Sequence, residues 1–182
     1  MTRGDFCGHN THYCSSHAVK DKAHDMKFTL LTHSREFEKR SNTGRVAVDV
    51  LGSAAEQVRW DRVHPPVRLV EEIEAGGVAL IYPGAVDERG DDLTGIRQII
   101  LIDGTWQEAR KIHQRSPYLH KLRRVSLKTA EKSVYSLRKN QKEYGLCTAE
   151  CVIEILRRTG DISQAERVQE SFLTFIRPFG KG

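Results

Sequence analysis

Short apolar runs separated by helix-like stretches constrain the fold of this chain most strongly. Residues 98–102 (QIILI) show no alternation of polar and apolar side chains, so a strand there is buried on both faces. Residues 27–32 (KFTLLT) and 78–82 (VALIY) are similar runs bounded by turn signals, and residues 124–127 are a candidate fourth strand. Strands that alternate with helices predict an α/β domain with a mainly parallel sheet and flanking helices.

The intervals between these runs favour helices. In chain order, helices are predicted after Ser34 as a cap, from about Pro66, and over residues 105–114, 148–158 and 164–175. Residues 46–51 are apolar enough to form either a helix or a strand. Ligands in such sheets bind at the carboxyl ends of the strands, which is where Asp103 and Gly104 are expected to lie.

Charge is distributed unevenly along the 182 residues. Residues 110–142 contain eleven Lys or Arg and one acid, Glu131, although the whole chain has a net charge of only +5. A cationic segment of this kind indicates a polyanionic partner, or else a solvated lysine-rich face. The chain has no apolar run long enough for a membrane span and no secretory h-region, and its four cysteines are typical of a reducing cytosol, so a cytoplasmic location is expected.

The first 25 residues differ from the rest of the chain in being polar and rich in His and Cys. We expect a short N-terminal arm over residues 1–25 and one globular domain over residues 26–182. Cys7, Cys14 and His17 are candidate zinc ligands, although their spacing matches none of the usual paired cysteine patterns. Cys147 and Cys151, one helical turn apart, are interpreted as small core residues.

The most informative cluster follows the run at residues 98–102. Asp103 is expected at the tip of a strand, Gly104 in a turn, and Thr105 as the N-cap of a helix that begins with Trp106. Amide groups at such a helix start bind anions or polar ligands, and an indole ring stacks on nucleobases. A capped turn with a core tryptophan would also explain these residues.

Two further clusters contain polar residues of useful chemistry. Residues 41–45 (SNTGR) form a tight polar turn in which Arg45 offers a planar donor fork for phosphate or carboxylate. Further along, Arg138 lies inside the basic segment, Thr148 is expected to cap a helix, and Glu150 lies in its first turn. Glycine-rich dinucleotide and phosphate loops, HExxH and GxSxG are all missing from the sequence.

Taken together and in this order, the three clusters resemble the DTW-domain family of tRNA-uridine aminocarboxypropyltransferases. The D-x-T-W motif of that family matches residues 103–106. The other matching residues are His33, Glu36, Lys39, Asn42, Thr43, Gly44 and Arg45 upstream, and Tyr135 to Arg138 and Cys147 to Glu150 downstream. The resemblance covers residues 28–176 and marks residues 26–182 as a DTW catalytic domain. Its members often carry a fuller set of N-terminal cysteines, so the resemblance leaves zinc binding by this chain doubtful.

The resemblance implies an enzyme that transfers the 3-amino-3-carboxypropyl group of S-adenosylmethionine to N3 of a tRNA uridine and releases methylthioadenosine. It also implies a SPOUT-like α/β fold with a knotted C-terminal half. On this interpretation Asp103 is the general base or orients the uracil edge, with Thr105 and Trp106 beside it in the catalytic pocket.

The remaining site residues divide into two predicted groups. Cofactor-binding residues are Gly104, Arg45, Arg138, Thr148 and Glu150. RNA contacts in the basic segment are Arg110, Lys111, Arg123, Arg124 and Lys139. Two alternatives stay open: a methyltransferase of the same fold, which would release adenosylhomocysteine, and a non-catalytic RNA-binding module. The sequence leaves open whether the protein is a monomer or a homodimer.

Overall fold

A computed structural model describes residues 26–83, 92–127 and 145–179 of the chain. Its sheet has five strands, all parallel, in the order β2-β1-β4-β3-β5. The strands are β1 (Lys27–Thr32), β2 (Ala55–Arg59), β3 (Val78–Ile81), β4 (Gln98–Asp103) and β5 (Arg123–Val125). The predicted parallel α/β architecture is therefore confirmed.

Seven α-helices accompany the sheet within the described residues. They are α1 (Ser34–Phe37), α2 (Gly44–Leu51), α3 (Val67–Glu74), α4 (Trp106–Gln114), α5 (Pro117–His120), α6 (Thr148–Arg158) and α7 (Ile162–Ile176). Short 3-10 turns follow α2 and α7. The described part of the chain has no helix that is both long and apolar enough to cross a membrane.

The centre of the sheet is buried on both faces, as the run at residues 98–102 predicts. Phe28, Leu30 and Leu101 face one core cluster, which is completed by residues of α2, α6 and α7. Leu31 and Ile100 face a second cluster, which contains residues of α3, α4 and α5. Helices cover both faces of the sheet. The carboxyl ends of the strands therefore stay open for a ligand.

Some elements differ from the prediction. The alternative at residues 46–51 is settled as helix α2, whose Val46, Ala47 and Leu51 are buried. Strand β2 (AEQVR) was not predicted, because an edge strand with mixed polar residues gives a weak apolar signal. The four-residue helix α5 was not predicted either, and β5 begins at Arg123 rather than at residue 124.

Candidate functional site

Asp103 lies at the carboxyl end of β4 and is almost fully buried. Its Oδ2 accepts a hydrogen bond from Asn42 Nδ2 at 2.8 Å and lies 3.2 Å from Thr32 Oγ1. Its Oδ1 accepts a hydrogen bond of 2.7 Å from Thr148 Oγ1. The carboxylate therefore links β4 to the end of β1, to the turn before α2 and to the start of α6. We call Asp103, Asn42, Thr32 and Thr148 the Asp103 network.

The turn before α2 is built around Asn42. In addition to its bond to Asp103, Asn42 Nδ2 donates to the Glu36 carbonyl at 2.8 Å, and its Oδ1 accepts from the Gly44 amide at 2.8 Å. A Cβ at Gly44 would lie 3.0 Å from Asn42 Oδ1 and 3.1 Å from Asp103 Oδ2. Because any side chain at residue 44 would press on these oxygens, glycine is needed for its lack of a Cβ.

Thr148 is the first residue of α6 and not its cap, which corrects the prediction. The N-cap is Cys147, whose amide donates to Glu150 Oε2 at 2.7 Å. The Thr148 hydroxyl is free of capping and bonds Asp103 instead. Burial raises the pKa of the Cys147 thiol well above its usual range, consistent with an inert core cysteine.

The start of α4 has the predicted cap. Thr105 Oγ1 accepts from the Glu108 amide, while Glu108 Oε2 accepts from the Thr105 amide at 2.9 Å. Burial by itself would raise the pKa of Glu108, but the bonds from Thr105 and the charges of His33 and Lys39 lower it overall. The reciprocal bonds fix the turn that carries Gly104 and presents Trp106.

His33, rather than Ser34, caps α1, with its Nδ1 accepting from the Arg35 amide at 3.3 Å. The same Nδ1 lies 3.3 Å from Glu108 Oε1. One nitrogen cannot accept from the amide and donate to the carboxylate at once, so Nδ1 makes the first contact when it carries no proton and the second when it carries one. The His33 ring stacks on Trp60 at 5.9 Å between centroids, which places His33 between α1 and the cap of α4.

A cleft of about 350 Å³ opens at the carboxyl ends of β3, β4 and β5. It is lined mainly by apolar and aromatic groups, with few polar ones. Its lining includes Tyr82, Gly104, Trp106, Leu127, Leu146 and Thr148. A concave, apolar site of this size at the carboxyl edge of a parallel sheet is typical of small-ligand binding.

Trp106 is the large aromatic side chain at the mouth of this cleft, and 37% of its surface is exposed. Its ring meets Tyr82 edge-on at 6.2 Å between centroids. Tyr82 in turn stacks on His113 at 4.3 Å with 15° between the planes. The indole is thus supported by Tyr82 and remains partly exposed beside the cleft.

The comparison with known protein families decides what kind of domain surrounds this cleft. A model described as DTW domain matches residues 2–179. The chain belongs to the DTW domain family. The similarity thus extends over nearly the whole chain and includes the Asp103 network, the capped turn and the cleft of this DTW domain.

One curated relative is tRNA-uridine aminocarboxypropyltransferase 2 of Drosophila melanogaster. It is 38% identical over 80 residues, an alignment that covers 42% of this chain and 32% of the relative. The aligned part of the DTW domain therefore spans about a third of the length of that relative. No solved structure matches the chain significantly.

The DTW motif residues are not all placed alike. Asp103 and Thr148 meet in one hydrogen bond, and Gly104, Trp106 and Thr148 line the cleft. Arg45 is exposed and lines a different, open depression with Glu38, Asp49 and Gln57. The structure thus separates Arg45 from the cleft that Gly104 and Thr148 share.

The predicted RNA contacts lie on and beside α4 and β5. Arg110, Lys111 and Arg124 are exposed, and Arg123 is half-buried. Other predicted residues fall outside the described part of the chain: Arg138, Lys139, Cys7, Cys14 and His17, with the whole arm of residues 1–25. Among the residues that are described, no three His, Cys, Asp or Glu side chains come together as a metal site.

Sequence reasoning missed some residues of this site. Tyr82 and Leu127 line the cleft, and Asn42 bonds Asp103, but none of them was assigned a site role. Tyr82 follows directly on the apolar run of β3, so it resembled one more strand residue. A signal was present, since Tyr82 and Leu127 each follow the end of a parallel strand, where ligands bind.

Proposed function

We propose that this DTW domain transfers the 3-amino-3-carboxypropyl group of S-adenosylmethionine to N3 of a uridine in tRNA. The observation that carries the proposal is the apolar cleft beside Trp106, built from the DTW motif itself and joined to the Asp103 network. Family membership and the aminocarboxypropyltransferase name of the Drosophila relative support it.

The proposed reaction is a displacement at the carbon bound to a sulfonium. The bond from that carbon to sulfur breaks, methylthioadenosine leaves with the electron pair, and a bond from the carbon to uridine N3 forms. The N3 proton is lost to a base or to water. The sulfonium contains a good leaving group. Most of the acceleration therefore comes from holding the S-adenosylmethionine carbon and uridine N3 in line.

The cleft suits the adenosine part of such a donor substrate. Its volume is within the range of small-molecule sites, and its walls are mostly apolar and aromatic. The half-exposed Trp106 ring offers a stacking surface for adenine or for the target uracil. Gly104 leaves the ligand close access to the backbone at the strand end.

Asp103 takes a positioning role in this proposal. Sequence reasoning offered it as the general base or as a partner of the uracil edge, and these roles stay predictions. Its oxygens are buried and already accept bonds from Asn42 and Thr148. A carboxylate engaged in this way fixes the loops around the cleft, and Thr148 is the member of the network that also touches the cleft.

The other site assignments also stay proposals. Glu150 accepts a hydrogen bond from the Cys147 amide. We propose that it also contacts the amino group or the ribose of S-adenosylmethionine. Arg45 and Arg138 stay candidates for binding the carboxylate of S-adenosylmethionine or an RNA phosphate. The exposed cations near β5 stay candidates for binding the tRNA backbone. A SPOUT-like knotted fold belongs to the same proposal, with residues 26–182 as the catalytic domain and residues 1–25 as an arm.

The deciding experiment incubates the purified protein with unmodified tRNA and S-adenosylmethionine and analyses the products by mass spectrometry. Aminocarboxypropyluridine together with methylthioadenosine is the expected result. A methylated base with adenosylhomocysteine would overturn the transferred group and leave a methyltransferase. Binding of tRNA without either product would leave an RNA-binding module.

A further inference from the structure

A row of rings extends from the cleft to the β5 edge of the sheet. Trp106 meets Tyr82, Tyr82 stacks on His113, and His113 lies 4.9 Å from His120 between ring centroids. The row connects the candidate base-stacking surface with an exposed histidine on α5. Nothing in the proposed chemistry uses His113 or His120.

His120 is held in one orientation. Its Nε2 lies 2.7 Å from the His113 carbonyl oxygen, so this nitrogen carries the proton that the carbonyl accepts. In neutral His120 the other nitrogen, Nδ1, is then a bare acceptor that repels an anion. In protonated His120 the same Nδ1 carries a proton and becomes an anion donor.

The surroundings of these rings are cationic. Arg124 of β5 and His120 both act electrostatically on His113. In the described part of the chain, no carboxylate lies within ion-pair distance of His113, His120 or Arg124. Residues 106–127 carry six Lys or Arg and one acid, Glu108. An anion from another molecule would complement these cations.

We propose that His120 and Arg124 together bind a phosphate of the RNA strand that flanks the target uridine, and that His120 does so in its protonated form. The inference rests on the proposed function for the presence of RNA. It adds His120 as a ligand, assigns the predicted RNA contact Arg124 to the same phosphate, and adds a protonation requirement. The Trp106–Tyr82–His113 row sets the distance between a uracil stacked on Trp106 and this phosphate.

His113 is the neutral member of the histidine pair. Burial, and then the charges of His120 and Arg124, lower the pKa of His113, so His113 stays neutral near neutral pH and serves as the support. The groups that face the pair are Tyr82 beyond β3, Arg124 on β5 and the two rings themselves. A phosphate brought to His120 supplies the counter-charge, so RNA binding is expected to take up a proton.

The test measures binding of the full chain to an unmodified tRNA transcript at about pH 6 and about pH 7.5, at equal ionic strength. We expect binding to be several-fold tighter at the lower pH, because only protonated His120 can donate from Nδ1 to the phosphate. The variant His120→Gln, whose amide still reaches the His113 carbonyl, is expected to lose this dependence. Arg124→Gln is expected to weaken binding at both pH values and to lower the salt slope by about 0.7–0.9.

Matched controls lie in the segment that follows β2, the opposite edge strand of the sheet. His64 and Arg62 are both exposed there, and His64 lies 3.6 Å from Asp61. His64→Gln and Arg62→Gln are expected to bind as the unaltered protein does. An unchanged pH response in His120→Gln, or unaltered affinity in Arg124→Gln, would overturn the inference.

Product analysis separates the two proposals. If the unaltered protein forms aminocarboxypropyluridine but His120 and Arg124 do not affect binding, the phosphate site is wrong and the reaction stands. If the pH and salt responses depend on His120 and Arg124 but neither product forms, the phosphate site stands and the reaction is wrong.

Discussion

The Asp103 network and the cleft next to it use neighbouring residues of one motif in opposite ways. In the network, Asp103, Thr32 and Asn42 are buried, and the side chains of Thr32 and Asn42 both contact the Asp103 carboxylate. In the cleft, Trp106 is half-exposed and the walls are largely apolar. Thr148 belongs to both. The first region holds four chain segments together, and the second offers surface to a ligand.

This difference shows that residues of one signature need not share one role. A buried carboxylate that accepts bonds from two other segments is costly to disturb, because its partners lose their acceptor. Removal of a half-exposed ring changes the free energy of unfolding little, but it weakens binding when a ligand stacks on that ring. Stability and activity should therefore separate along the motif.

The largest effect is expected on removing the centre of the network. Asp103→Ala leaves Asn42 Nδ2 and the Thr148 hydroxyl without their acceptor, so the free energy of unfolding is expected to fall by about 3 kcal/mol or more. Urea unfolding of the variant measures this. Asp49→Ala, at an exposed position of α2, is the control and is expected to change little. Equal stability of the two variants would contradict the network.

A smaller loss is expected where the network touches the cleft. Thr148→Val keeps the shape but removes the bond to Asp103, at about 1.5–3 kcal/mol of unfolding free energy. Thr148→Ser keeps the hydroxyl and is expected to stay close to the unaltered protein. Thermal unfolding of both variants tests this, and a Val variant as stable as the Ser variant would count against the bond.

Removal of Trp106 is expected to lower activity more than stability, whereas removal of Asp103 is expected to lower stability. Trp106→Ala is expected to weaken substrate use by about 1–3 kcal/mol, roughly 5–150-fold in kcat/KM, with little loss of stability. Leu173→Ala is the matched control, since Leu173 on α7 is 40% exposed and lies outside the lining of the cleft. Steady-state product formation measures the effect. If both variants lost activity equally, Trp106 would have no special role.

The smallest effect concerns the cap of α4, between the two regions. The pKa of Glu108 is lowered in the folded state, so its stabilising contribution is present above its ordinary pKa of 4.5 and is lost as pH falls through the lower folded value. We expect Glu108→Gln to reduce the acid-side loss of stability by less than about 1 kcal/mol. Melting temperatures from about pH 6 to about pH 3 measure it, with exposed Glu166→Gln as control. Identical acid profiles for the two variants would contradict the assignment.

The sequence predicted an element correctly where a single physical cause explains the residue types found there. Residues 99–102 are apolar throughout because a central parallel strand is buried on both faces, and they form the middle of β4. Thr105 was predicted as the N-cap of α4 because its hydroxyl can accept from the first turn, and the structure adds Glu108 as its reciprocal partner. For β2 no such signal existed, since Glu56 and Gln57 on an edge strand resemble a loop.

Sequence alone determined the alternation of strands and helices, the cap of α4 and the order of the clusters that resemble the DTW family. Tertiary structure decided which of them meet: Asp103, Asn42 and Thr148 are far apart in the chain but bonded in space, whereas Arg45 faces another depression. The physical reason is range. Periodicity and capping depend on residues a few positions apart in the sequence. The hydrogen-bond donors of a buried carboxylate instead come from distant segments that meet where the parallel strands end.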